Sequence, residues 1–191
     1  MTTKEMVLAA LFAAIIAVLG LLPPIPLPFT PVPVTAQTLG VMLAGSFLGM
    51  KLGGMSTGLF VLLIVLGAPI LAGGRGGLSV FASPSGGFVL SYPFAAMLMG
   101  YMVERLWVSL KIWKLLCVHI FGGILFIYGI GAPYQAFITD VPIEVAFLAS
   151  AGFLPGDLLK AVLAAVVVYQ IRSFSPIEEK RWLKEREQQA A

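Results

Sequence analysis

Apolar residues gather into six runs along this chain, at about 6–22, 37–50, 52–66, 88–103, 112–130 and 156–171. Each run predicts a membrane helix. Several are shorter than the roughly 20 residues that span a bilayer, and the second is weak enough that a re-entrant segment is its alternative. The second and third are parted only by Lys51 and its flanking glycines. The proline-rich connection "PPIPLPFTPVPVT" follows the first run, and a glycine-rich connection fills 67–87. Behind the fifth run, "ITDVPIEVAFLAS" reads as a short interfacial helix.

Composition agrees with a bilayer protein. Of the 191 residues, 59% are hydrophobic and 11% charged, against about 45–50% and about 25% in soluble domains. The mean hydropathy is +0.99. A net charge of +3 is too small and too localised for a nucleic-acid surface. Cys117 stands alone, so there is no disulfide framework; it reads as a packing residue. The first run exceeds the apolar core of a signal peptide, about 7–15 residues, and leads into prolines rather than a cleavage site. It is expected to stay as a helix.

Basic residues set the orientation. With the N-terminus inside and six alternating spans, Lys4, Lys51, Arg105, Lys111, Lys114, Arg172, Lys180, Arg181, Lys184 and Arg186 are cytoplasmic, ten of the twelve Lys and Arg. The expectation is an all-α integral membrane bundle over 1–172, both termini cytoplasmic, with a charged, solvated tail over 173–191.

That topology brings the chemically distinctive residues to the outer side. Asp157 and Lys160 open the last run in "LPGDLLK", and charge within a span is costly enough to mark a function. Simpler readings exist. Asp157 complements the helix dipole, Lys160 snorkels, and the three-residue spacing lets the two pair with each other. Arg75, in "GGRGGLSVFASPSGGF", is the one basic residue of an outer connection. A connection of about 20 residues without a helical pattern is more often a lid or binding loop than a bare linker. Two cations, one anion, a flexible loop and the aromatics Phe81, Phe88 and Tyr92 describe a pocket for a small, partly apolar, anionic solute.

"PVPVTAQTLGVMLAG" (31–45), "GGRGGLSVFASPSGGF" (73–88) and "PGDLLK" (155–160), in this order and spacing, resemble the BioY family, the biotin-binding membrane subunits of energy-coupling factor transporters. The resemblance runs to Ile171, with "SPSGGF" replacing the G-P-T-G-G of many relatives. It implies six helices in a prokaryotic cell membrane and high-affinity capture of biotin from outside. It also implies that a transmembrane coupling protein and two ATP-binding-cassette ATPases power uptake. The acid and base of the family's D-x-x-K pattern are ligand-binding, which carries over to Asp157 and Lys160, and the loop arginine maps to Arg75.

Biotin's groups can be matched to these side chains. A carboxylate only accepts hydrogen bonds and an ammonium only donates. Asp157 is therefore expected to accept from a ureido N–H and Lys160 to donate to the ureido oxygen. The Arg75 fork would face the tail carboxylate, Gln37 and Tyr92 would add neutral hydrogen bonds, and Phe81 or Phe88 apolar walls. In the first run Ala9, Ala13 and Ala17 form a small-residue stripe, with Ala10 and Ala14 beside them. Such a stripe packs closely on another helix, within the subunit or, as the resemblance implies, on the coupling protein.

No G-x-x-x-x-G-K-[ST] phosphate loop occurs, so energy is borrowed or substrate runs down a gradient. An intramembrane enzyme is the rival class, but His119 has no G-x-S-x-G serine or metal-spaced partner and reads as a hydrogen-bonded core residue. No cofactor, metal or catalytic residue is expected. A stand-alone carrier and a subunit for another vitamin are the nearer variants.

Overall fold

The first turn of α1 (Thr3–Gly20) is fixed by its own side chains. Thr2 Oγ1 accepts from the Glu5 N–H at 3.2 Å, and Glu5 Oε2 accepts from the Thr2 N–H at 3.0 Å. This reciprocal pair occupies two backbone donors that a helix start leaves open. Residues 2–178 are described in this computed structural model.

The proline-rich connection folds as a hairpin, a form its apolar pattern did not predict. Strands β1 (Ile25–Leu27) and β2 (Thr30–Val34) pair antiparallel, Ile25 opposite Val34 and Leu27 opposite Thr30. Both strands are edges, so prolines at 26, 31 and 33, which lack an N–H, need not interrupt a ladder on two sides.

Helix α2 (Gln37–Val65) covers two of the expected spans as one element broken at Gly49, where φ is 83° and ψ 179°. The two halves fold back on each other. Gln37 Nε2, at the start, donates to the Ile70 carbonyl beyond the end at 3.2 Å. A Cβ on Gly53 would lie 2.9 Å from the Ala44 oxygen, although nine residues of straight helix extend about 14 Å. The break frees backbone groups that a continuous helix would pair within itself. Glu104 answers one of them: its Oε1 accepts from the Met50 N–H at 2.8 Å. Gly100 lets the neighbouring helix approach, since a Cβ there would lie 2.3 Å from the Met50 nitrogen.

Helix α3 (Gly86–Leu106) carries that glutamate. Next comes a single long rod made of α4 (Ile112–Val118), a π-helical stretch (His119–Leu125) and α5 (Phe126–Thr139). The rod runs to Thr139 rather than ending near 130, absorbs Pro133, and stops at Asp140 with φ 52°. The short α6 (Ile143–Ala151) and then α7 (Leu154–Ile171) follow, α7 with proline in its first turn. Among the described residues five helical stretches are long and apolar enough to cross a membrane, against the six expected; the difference is the fusion at Gly49.

Inside the bundle lie Ile16, Met42, Leu52, Phe60, Ile64 and Met99, all buried. The outer surface is also apolar, with Val7, Leu11, Val18, Leu62, Phe94 and Leu159 exposed. An apolar exterior of this extent suits lipid rather than water. Three expectations change. Cys117 is exposed on the rod instead of packed within it. Ala9 and Ala13 are buried and Ala17 half-buried on the face that α1 turns inward, while Ala10 and Ala14 are exposed. The stripe therefore packs within the subunit, because the helical turn points 9 and 13 to the same side as Phe12 and Ile16. The start of the tail is not free either. Ser175 Oγ donates to the Phe47 carbonyl at 2.6 Å, Arg172 Nη1 to the Leu110 carbonyl at 3.3 Å, and the Trp107 indole to Glu178. From residue 179 the charged tail lies outside the described residues.

His119 is fully buried. Its Nδ1 faces the Ala161 carbonyl at 3.1 Å and its Nε2 faces Ser46 Oγ at 2.7 Å. A carbonyl only accepts, so Nδ1 carries the proton and Ser46 donates to Nε2. Both ring nitrogens are thus occupied in packing three elements together, as expected for a core histidine.

Candidate functional site

Five stretches converge at the end of the bundle where α7 begins: β2 with Thr35, the start of α2, the glycine-rich connection, α3 and α5. Together with α7 they line a partly open pocket whose wall is mostly apolar with a few placed polar groups, the usual character of a small-molecule site. Pro155 and Gly156 start α7 close to the hairpin, where a Cβ on Gly156 would meet Val34 at 3.3 Å. One turn of helix then presents Asp157 and Lys160 to the same space.

The acid and base do pair. Lys160 Nζ lies 2.7 Å from Asp157 Oδ1. Thr38 joins both: its hydroxyl donates to Asp157 Oδ1 at 3.2 Å and accepts from Lys160 Nζ at 3.2 Å. Tyr128 donates to the other carboxylate oxygen, Oδ2, at 2.6 Å. Asp157 is 4% exposed. A buried ion pair adds little net stability over an apolar pair of the same volume, so stability alone does not account for it. The pairing is also incomplete in a useful sense. The ammonium has three protons and two are used here; the carboxylate has about four lone-pair sites and three are used. One donor and one acceptor remain.

At the other side of the cavity Arg75 is held by its loop. Gly73 and Gly74 take φ of 78° and 68°, values open to glycine, and the turn closes as the Leu71 N–H donates to the Arg75 carbonyl at 3.0 Å. Arg75 Nε donates to the Ala72 carbonyl and Nη1 to Ser85 Oγ, each at 3.3 Å. Of five guanidinium protons, three stay free for an anion. Aromatic rings form the apolar wall. Phe88, Tyr128 and Phe153 meet edge to face at centroid distances of 6.1 to 6.4 Å.

Asp157, Lys160, Arg75, Tyr92 and Gln37 all line this one cavity, as does Phe88. Phe81 does not. It follows the turn at Leu78–Val80, packs on the core and accepts at its carbonyl from the Tyr134 hydroxyl. Gln37 is partly committed already through its bond to Ile70. Sequence reasoning missed Thr38, Ser85, Tyr128 and Phe153. Thr38 and Ser85 lay inside quoted motifs as neighbours of singled-out residues, whereas Tyr128 offered only a hydroxyl in an apolar run.

The family model for BioY matches residues 1–176. The chain belongs to the BioY family. It is 46% identical over 172 residues to the biotin transporter BioY of Rhizobium etli, covering 87% of this chain and 92% of that protein. With the probable biotin transporter BioY of Bacillus subtilis it shares 47% over 167 residues, covering 87% and 89%. A crystal structure at 2.1 Å of the S-component for biotin from an ECF-type ABC transporter superposes with a TM-score of 0.86 at 35% identity. That likeness spans 91% of this chain and 95% of the other. This BioY-family chain is accordingly a multi-pass membrane protein of a transporter family, with its cavity at one end of the helical bundle.

Proposed function

We propose that this chain is the biotin-binding subunit of an energy-coupling factor transporter and captures biotin from the outer face of a prokaryotic cell membrane. The observation that carries the reading is the Asp157–Lys160 pair on the cavity wall, with one acceptor and one donor left over. A ureido group supplies their complements, an N–H for Asp157 and a carbonyl oxygen for Lys160. The free protons of Arg75 suit the tail carboxylate as a two-point contact. Family membership and the names of the relatives support biotin over another vitamin.

The proposal includes six crossings with both termini cytoplasmic, the halves of α2 counting separately. Three observations support this. Gln37 bonds to Ile70. The Gly49 turn meets Glu104, beside the basic residues that the positive-inside rule assigns to the cytoplasm. Asp157, Arg75 and the hairpin gather at the opposite end.

The sequence has no G-x-x-x-x-G-K-[ST] loop, and in this reading a coupling protein and two ATPases supply the work. The exposed residues Ala10 and Ala14, rather than Ala9 and Ala13, would form the close contact on α1. Calorimetric titration of the purified chain with biotin, repeated on Asp157→Asn and Lys160→Ala, tests the site. Each variant should remain folded and weaken binding at least about tenfold, the scale of a hydrogen bond to a charged group. Unchanged affinity in both would remove the assignment.

A further inference from the structure

Tyr128 does not figure in the D-x-x-K pattern or the arginine loop, yet it touches the centre of the cavity. Its single hydroxyl proton points to Asp157 Oδ2 at 2.6 Å. The other carboxylate oxygen is filled by Lys160 and Thr38, so Oδ2 is the one with room to accept a phenolic proton. With that proton committed, the phenol oxygen can only accept from the cavity side. Among the described residues no donor reaches it. The ring is held by Phe88 and Phe153, edge to face on both, and the side chain is 8% exposed.

We propose that Tyr128 is a specificity-determining residue: beside Asp157 it presents a second acceptor, so that this end of the cavity reads an N–H donor on the ligand ring. The inference rests on the proposed biotin reading and deepens it. A ring nitrogen that carries hydrogen finds two acceptors, Asp157 Oδ2 and the Tyr128 oxygen. A ring nitrogen carrying a methyl group instead leaves the Tyr128 oxygen and the remaining lone-pair site of Asp157 Oδ2 without a donor. Sites that hydrogen-bond a ligand N–H reject analogues without it far more strongly than apolar pockets reject an extra methylene.

The experiment titrates the full-length chain in detergent with biotin and with the two biotins methylated at one or the other ureido nitrogen. The wild type should bind at least one methylated isomer about tenfold or more weakly than biotin. Tyr128→Phe keeps the ring contacts and should weaken biotin about tenfold. It should also shrink the discrimination against that isomer by a similar factor. A structural role would weaken all three ligands alike, so an unchanged ratio in Tyr128→Phe overturns the inference while biotin binding by the wild type keeps the proposed function. Equal wild-type affinity for biotin and both methylated forms overturns it as well, whether or not the variant folds. No biotin binding by the wild type overturns the proposed function and the inference with it.

Discussion

Arg75 and the Asp157–Lys160 pair face the cavity from different elements, and each can be tested against the part of the ligand it is assigned. Arg75 has three guanidinium protons not used by its loop. Biotin methyl ester, which lacks the tail charge, should bind the wild type about tenfold more weakly than biotin. In Arg75→Ala the two ligands should bind alike. A penalty for the ester that survives the substitution would place the carboxylate elsewhere. Asp157 and Lys160 were legible in the sequence because charge is rare in apolar runs and costly there, and Arg75 because it is the one basic residue of a glycine-rich outer connection. Thr38 and Tyr128 were not, since hydroxyls are common in membrane helices and only the fold brings them to the carboxylate.

Two helices make predictions of their own. Gly49 occupies a backbone region that is essentially glycine's, and strain of this kind costs about 1–3 kcal/mol. A Cβ there would also lie 2.3 Å from Glu104 Oε1. Gly49→Ala should lower thermal stability in detergent by at least that strain; an unchanged unfolding temperature would mean the break is absent. On α1, bulk at two neighbouring alanines should act oppositely. Ala13→Trp, inside the bundle, should destabilise the fold. Ala14→Trp, on the exposed face, should spare both folding and biotin binding yet impair uptake in cells that contain the ATPase module. Full uptake by Ala14→Trp would move the docking surface off this face. The alanine spacing was visible in the sequence, but small residues on adjacent positions do not announce which side is inward. The hairpin escaped notice because its prolines suppress the usual strand pattern and only edge strands tolerate them.

For the whole molecule, hydropathy located nearly every helical stretch, since burial in lipid requires apolar surfaces on both the inner and outer sides. It could not tell that two runs join at Gly49, because the join depends on one dihedral angle and on Glu104. Their count bears on the side that captures ligand. Lys51→Cys, in a Cys117→Ser background, should react with a membrane-impermeant maleimide in inverted vesicles and not in intact cells. If α2 crossed only once, position 51 would sit within the bilayer and resist labelling from both sides. The central claim, that the outer end of the bundle grips biotin through an acid, a base and an arginine, is tested most directly by calorimetry of the purified full-length chain. Saturable heat at micromolar biotin, weakened in Asp157→Asn, is the predicted result. Silence with biotin alongside clear binding of a different B vitamin would contradict it.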